Sequence, residues 1–496
     1  MLNGRQAPWA VAAAASACSA VAIYFSTAAH DVALLAWVAP VPVLSLAFAL
    51  AARLRRGEAT ARRAWRRLAV AAFLASFAGH AAWVSLYHGI LPPAALVSMA
   101  GLLGALFAGA VLFAGAVASR LGAGAGILAF PCAWVSVELA MARLSPHGTA
   151  ASIAYSQVDV LPLVQLASWA GLAAVTFVVL LGAAGLAALA GDRPDKRWRW
   201  GRLAVPALVA LAALALGQWR LASDPGSGRV LVGLVSFDEG MPHQDTAPRE
   251  RALGVLERYL DAAGRLARRG AEAVVMPEKM IGVAPADEDE VRSRLASFAD
   301  EHEVLVVAGL DILGDRPRRN LAEVYSRGHR VVQYEKQRPV PGLEAAYGRG
   351  SEPGLYRAPG GMTGVAICKD LDFPGLAAEY GRAGAGILFV PAWDFVRDAR
   401  LHARMAVMRG VEGGYSIARA AADGLLTGSD PLGRVVAERS SSAAPVSTLL
   451  VALPLGRGRT FYSEHGDWFA WLNVLTAACL AGWAAVRRPP AGAPGK

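Results

Sequence analysis

The chain has 496 residues, is 55% hydrophobic and 18% charged, and has a mean hydropathy of +0.38. Soluble domains carry about 25% charged residues, so this composition excludes a wholly soluble chain and a disordered one. A formal charge of +10 would suit a nucleic-acid binder, and four cysteines in this length exclude a disulfide scaffold.

Taken from the N-terminus, the apolar runs are Trp9–Ala29, Val32–Ala52, Leu68–Leu91, Ala94–Ser119, Leu121–Ala142, Val160–Ala190 and Leu203–Trp219, with Trp468–Val486 near the C-terminus. A bilayer core needs roughly 20 apolar residues, crossed as a helix because no water satisfies an open backbone there. One such run can be a core helix of a soluble domain; eight predict eight membrane helices. The first could also be a cleaved signal peptide, since Ser26-Thr27-Ala28-Ala29 resembles a small-residue cleavage site. Its run is longer than the ~7–15 residues of a signal core, and a span is expected. His80, His88, Glu138, Ser156 and Gln157 lie in or beside spans. Polar groups there mark either function or helix–helix hydrogen bonding.

Between the seventh and eighth runs the pattern changes. Val230–Val235, Ala273–Met276, Val304–Ala308, Gly364–Ile367, Gly386–Val390, Tyr415–Ala420 and Gly433–Val436 read as strands, and Ala322–Tyr325 with Arg330–Tyr334 as a hairpin. Arg249–Arg269, Val291–Glu303 and Leu401–Glu412 read as helices. Continuous apolar strands alternating with helices predict a layered α/β domain with a sheet buried on both faces. The expected organisation is a membrane domain over 1–221 with helices one to seven, an extramembrane domain over 222–465, and the eighth helix with a tail over 466–496.

The charge follows this division. Residues 222–465 hold 30 basic and 32 acidic residues, and the remainder holds 19 basic and 7 acidic. If the spans alternate, 17 of those 19 cations fall on one side: Arg5, seven arginines from Arg53 to Arg67, Arg120, five cations from Arg193 to Arg202, then Arg487, Arg488 and Lys496. Only Arg143 and Arg220 lie opposite. The excess of loop cations on the cytoplasmic side predicts cytoplasmic termini and an extracytoplasmic 222–465 domain. The basic excess is a topology signal, and no nucleic-acid partner is expected.

Cys368 is the one cysteine of that domain and ends an apolar strand in Gly-Val-Ala-Ile-Cys-Lys-Asp. It is either an inert core thiol or a nucleophile at a strand end, where α/β sheets build their sites. Glu278 ends a second strand in Met-Pro-Glu, and Lys336 follows a third in Tyr-Glu-Lys. A cysteine nucleophile needs a base for its proton and a cation or donors for the oxyanion, roles that a glutamate and a lysine can fill. No His/Cys/Asp/Glu spacing specifies a metal site, no Gly-rich nucleotide loop is present, and no cofactor is expected.

The order Glu278, Lys336, Cys368, with Met-Pro-Glu at 276–278, Tyr-Glu-Lys at 334–336, Ile-Cys-Lys-Asp at 367–370 and Pro-Ala-Trp-Asp at 391–394, resembles the nitrilase superfamily of carbon–nitrogen hydrolases. Eight spans around such a domain, with Phe130–Leu139, Tyr155-Ser-Gln157 and Ala167–Val178, narrow the resemblance to its apolipoprotein N-acyltransferase family. It implies a nitrilase-like αββα sandwich inserted in a polytopic all-α membrane domain. Glu278 would be the general base, Lys336 the oxyanion stabiliser and Cys368 the acylated nucleophile. Glu344 and Asp370 would support them, and Trp393 would line the acyl or lipoprotein entrance. The implied reaction moves an acyl chain from a phospholipid, through a Cys368 thioester, to the α-amine of a diacylglyceryl-modified lipoprotein. The implied location is a bacterial inner membrane with a periplasmic catalytic domain, and a monomer is expected. Lys369 stands where the family usually has Tyr, and Asp370 where it more often has Glu. An extra cation beside the thiol would lower its pKa or change the substrate. A membrane-tethered amidase and a catalytically silent scaffold are the competing readings.

Overall fold

A computed structural model describes residues 7–27, 30–57, 61–190, 196–226, 228–238, 249–358 and 360–487. Arg5, Arg193, Arg488 and Lys496 of the basic side, and Ala28 and Ala29 of the small-residue run, lie outside the described residues. The chain forms two compact units, one of Met1–Ser145, Ala151–Arg220 and Asp467–Lys496, the other of Pro146–Ala150 and Leu221–Gly466.

Eight helices among the described residues are long and apolar enough to cross a membrane: Trp9–Ser26, Ala33–Arg55, Arg62–Tyr87, Pro93–Leu121, Ala123–Leu144, Ala167–Leu189, Gly201–Leu221 and Trp468–Val486. Each falls on one of the eight apolar runs, with shifted bounds. Arg62, Arg63, Arg66 and Arg67, expected in a loop, lie in the first two turns of the helix Ala61–Gly79. Arginine is a good helix former, and its long stem can carry the charge out of an apolar layer. The second span divides into Ala33–Val38 and Val41–Arg55 at Pro40, which has no N–H to donate. The sixth run opens with the short turn Leu161–Val164, and its long helix starts only at Ala167.

The polar residues of this unit fasten its helices. Glu138 accepts from Trp134 Nε1 (3.2 Å), Ser152 Oγ (3.0 Å), the Ile153 amide (2.9 Å) and Thr176 Oγ1 (2.8 Å). Gln157 Nε2 donates to the Ala33 carbonyl (2.9 Å) and Ser156 Oγ (2.8 Å), and its Oε1 accepts from Trp37 Nε1 (3.1 Å). The His80 ring meets the Ser76 carbonyl at 2.7 Å, and His88 is exposed at the end of the helix Ala81–Tyr87.

The second unit holds two mixed sheets. The first comprises β1 (Arg229–Ser236), β2 (Ala273–Val275), β3 (Ile281–Val283), β4 (Leu305–Ile312), β5 (Arg319–Ser326) and β6 (His329–Glu335). The second comprises β7 (Gly354–Ala358), β8 (Gly361–Val365), β9 (Ala385–Trp393), β10 (Ser416–Ala422), β11 (Leu425–Ser429) and β12 (Val435–Ser440). A last strand, β13 (Ser447–Pro454), returns to the first sheet and pairs antiparallel with β1. The orders are β13-β1-β2-β4-β5-β6, with β3 also on β4, and β12-β11-β10-β9-β8-β7.

Alternate residues of the strands build separate cores. Val232, Leu234, Val275 and Val307 meet Val365, Ile387, Phe389 and Ala418 between the sheets. On the far side of the first sheet, Val235, Val274 and Val306 pack on Leu256 and Tyr259 of the helix Arg249–Ala267 and Leu295 of Glu288–Glu301. On the far side of the second, Leu388, Val390 and Ile417 pack on Leu376 and Tyr380 of Pro374–Arg382 and Ala406 of Ala399–Gly413. Both faces of each sheet are covered, which is why the strands read as unbroken apolar runs. The result is the four-layer αββα arrangement that the resemblance implies.

Candidate active site

Glu278, Lys336 and Cys368 stand just past the ends of β2, β6 and β8. Pro277 leads from β2 into Glu278, whose amide donates to the Ala392 carbonyl (3.3 Å) and so ties the first sheet to the second. Gly309 makes room for this turn, because a Cβ there would lie 2.1 Å from the Pro277 carbonyl oxygen and 2.7 Å from Glu278 Cα. The Lys336 amide donates to the Asn320 carbonyl (2.9 Å) at the foot of β5. Cys368 has φ +42° and opens the tight turn Cys368–Asp372. Left-handed geometry in a non-glycine residue is uncommon and concentrates at functional sites.

The side chains converge. Lys336 Nζ donates to Glu278 Oε1 (2.7 Å) and Glu344 Oε2 (2.8 Å), and all three residues are buried. Asn320 Nδ2 bridges the two glutamates, at 2.5 Å from Glu278 Oε1 and 3.1 Å from Glu344 Oε1. Glu344 also accepts from the Val340 amide (2.7 Å) and from Lys279 Nζ (2.6 Å). Cys368 is half-buried, and its Sγ donates to the Trp393 carbonyl at 3.5 Å.

Asp370 locks the lysine segment to the cysteine turn. Its Oδ1 accepts from the amides of Gln337 (3.1 Å) and Arg338 (2.8 Å), and its Oδ2 from the Tyr334 hydroxyl (2.7 Å) and the Ile367 amide (3.2 Å). Trp393 is half-buried and donates Nε1 to Asp423 Oδ2 (2.9 Å).

The charges respond to this packing. Burial, and then Glu278, push the Cys368 thiol well above its ordinary value, with Lys336 opposing. Burial works against the Lys336 charge, yet Glu278 and Glu344 hold it well above the usual lysine value. Against the same cost of burial, Lys336 and Lys279 hold Glu344 down to about 2. Burial pushes Asp370 up to about 6, opposed by Lys336 and by its hydrogen bonds.

A second ring of charges surrounds the cysteine turn. Lys369 Nζ pairs with Asp372 Oδ2 (2.8 Å), so the expected effect of this cation on the thiol is corrected: its charge is committed three residues along the turn, and the thiol is raised. His402 lies 3.6 Å from Asp372 and 3.2 Å from Asp398, and these two carboxylates raise it to about 10 against the effect of burial. Arg419 grips Asp394 with two hydrogen bonds, at 2.9 and 2.5 Å. Thr149, from the short piece Pro146–Ala150 of the second unit, donates its amide and its hydroxyl to the Asp372 carbonyl. Among the described residues no group of three or more His, Cys, Asp or Glu is placed to hold a metal ion.

The sequence matches a family model described as the apolipoprotein N-acyltransferase N-terminal domain over residues 19–185, and one described as carbon-nitrogen hydrolase over residues 241–459. It is 27% identical to the apolipoprotein N-acyltransferase of Geobacter metallireducens, over 95% of this chain and 94% of that one. Together these matches support an apolipoprotein N-acyltransferase of the carbon–nitrogen hydrolase superfamily. The apolipoprotein N-acyltransferase of Gloeobacter violaceus is 28% identical over 65% of this chain and 67% of its own. Among solved structures, the NitN amidase from Neterenkonia sp. AN1 is similar at 23% identity, covering 50% of this chain and 99% of that one, with a TM-score of 0.38.

Sequence reasoning assembled Glu278, Lys336, Cys368, Glu344, Asp370 and Trp393. It missed Lys279, Asn320, Tyr334, Thr149 and Asp372. Asn320 carries little signal, because β5 also holds Arg319, Glu323 and Ser326. Lys279 carries none, because a lysine beside a glutamate reads as an ordinary surface pair.

Proposed function

We propose that this enzyme transfers an acyl chain from a membrane phospholipid to the α-amine of the diacylglyceryl-modified N-terminal cysteine of lipoproteins, with Cys368 as the acyl carrier. The observation that carries the reading is the buried Glu278–Lys336–Glu344 contact at the Cys368 turn, in a chain whose described residues include eight helices long and apolar enough to span a membrane.

The chemistry follows from the geometry. A thiol held high by burial is a poor nucleophile on its own and needs a base. Glu278 takes the thiol proton as sulfur attacks the ester carbonyl of the phospholipid. An ammonium has three N–H donors, and Lys336 uses two on Glu278 and Glu344; the third is left for the developing oxyanion. The tetrahedral adduct collapses, the ester C–O bond breaks, and the proton on Glu278 passes to the departing lysophospholipid alkoxide. In the second half, the acceptor amine attacks the thioester, Glu278 takes a proton from the amine nitrogen, the C–S bond breaks as the amide forms, and Glu278 passes that proton to the departing Cys368 sulfur.

The excess of cations on one side of the spans supports cytoplasmic termini and a periplasmic catalytic unit in a bacterial inner membrane. The enzyme is proposed to act as a monomer. The deciding measurement is the mass of the Cys368 peptide after the full-length protein meets phospholipid vesicles. An acyl adduct that disappears when a diacylglyceryl peptide is added is the expected result, and Cys368→Ala should show none. An unmodified peptide, or undiminished transfer by Cys368→Ala, would overturn the proposal, and release of free acid from amides would favour a hydrolase.

A further inference from the structure

Lys279 puts a second ammonium into the site. Its Nζ lies 2.6 Å from Glu344 Oε1, 5.0 Å from the centroid of the Tyr347 ring and 5.1 Å from that of Trp393. Its side chain is only 12% exposed. Both rings are anchored, Tyr347 by its hydroxyl on Asp311 (2.9 Å) and Trp393 by Nε1 on Asp423 (2.9 Å). Two aromatic faces and a carboxylate are the surroundings that hold an alkylammonium, and here the chain fills that cage with its own lysine. The backbone at Lys279 is left-handed (φ +49°), so the turn after Glu278 is bent out of the ordinary range where this side chain is placed.

The charge balance gives the cage a purpose. Lys336 alone would stand between two buried carboxylates, Glu278 and Glu344, leaving one negative charge uncompensated beside a thiol that must ionise. That excess would draw Lys336 toward Glu344 and oppose thiolate formation. With Lys279 present, each oxygen of Glu344 has its own ammonium. We propose that Lys279 is a positioning residue for acyl transfer: it holds one oxygen of Glu344, so that Lys336 stays shared between Glu278 and the reacting carbonyl. It also fixes the ring of Trp393, whose backbone oxygen receives the Cys368 thiol. This assignment rests on the reading of Glu278, Lys336 and Cys368 as the acyl-transfer machinery.

The test is single-turnover acylation of Cys368, followed by peptide mass in the full-length protein with phospholipid vesicles. K279A and K279M should each slow adduct formation by about 10²-fold, the usual loss when one preorganised electrostatic group is removed. K279R should keep most of the rate. Methylammonium or ethylammonium should restore a saturable part of the rate to K279A, which has an empty cage, and leave K279M and the wild type unchanged. A wild-type rate in K279M, or a slow K279A that neither amine restores, would overturn the assignment; if K279A does not fold, K279M and K279R decide between charge and packing. No adduct on the wild-type protein would sink the acyl-transfer reading itself, whereas equal adduct rates with and without Lys279 would sink only this inference.

Discussion

Thr149 is joined twice to Asp372: its amide and its hydroxyl both donate to the same carbonyl oxygen, at 3.0 and 2.8 Å. Asp372 closes the turn that Cys368 opens, so Thr149 holds the far end of the Cys368 turn. Thr149→Val keeps the amide bond and removes the hydroxyl. It should cost about 1 kcal/mol, the net value of one such bond, and slow acylation. Gly148→Ala should be worse, because its Cβ would lie 2.4 Å from that same oxygen in a residue with φ +53°. Thermal unfolding and initial acylation rates, compared for the two variants, check the order.

Asp370 should make the stability of the enzyme depend on pH in an unusual direction. Folded, its carboxyl titrates near 6; in an unfolded chain an aspartate titrates at about 3.9. Between these values the folded state keeps a proton that the unfolded state has lost. The contribution of Asp370 to stability is therefore full below about pH 4 and falls as pH rises through 6, by about 3 kcal/mol for a shift of this size. Asp370→Asn cannot titrate, so the difference in unfolding free energy between the two proteins should change over that window and be flat above it. A difference that does not vary between pH 4 and 7 would refute this.

Gly309 is the steric condition for Glu278. Its missing side chain leaves space for the Pro277–Glu278 backbone. Gly309→Ala should cost about 1–3 kcal/mol, as overpacking in a close-packed interior does, and should displace Glu278 from Lys336. A fall in kcat larger than the loss of stability explains, with little change in KM, is the expected signature.

Lys369→Met removes one partner of a buried pair and leaves Asp372 with His402 at 3.6 Å. Breaking such a pair costs about 3–5 kcal/mol when nothing remains, so a loss toward the low end of that range is expected. Lys369→Met combined with Asp372→Leu should recover stability relative to the single variant, measured by chemical denaturation.

The parts of this molecule that could be read from the sequence are those set by local pattern. Run length alone located the eight spans, because the bilayer demands it. Strands β1, β4, β9 and β10 stood out because burial on both faces leaves them few polar residues and no polar alternation. Glu278, Lys336 and Cys368 could be picked by chemistry at strand ends. What stayed hidden depends on contacts between distant residues. Three-residue β3 and the five-residue β7 and β11 have too little sequence to show a period. β13 carries an apolar stretch, but its place beside β1 is fixed by pairing across the whole unit. Lys369 looked like a modifier of the thiol because the sequence does not reveal that a tight turn brings Asp372 to it. Thr149 lies in a short connection between two spans, where nothing in its neighbours announces a partner 223 positions away.

The split of the second unit into Pro146–Ala150 and Leu221–Gly466 has a consequence for the order of synthesis. The first five residues of the unit leave the ribosome ahead of the sixth and seventh membrane helices, and wait for the remainder of their fold until both have followed. A fragment cut to begin at Leu221 would therefore be born without the two donors that Thr149 gives to Asp372. Liberating the hydrolase-like half from its membrane helices removes a piece of the support of the Cys368 turn along with the anchor.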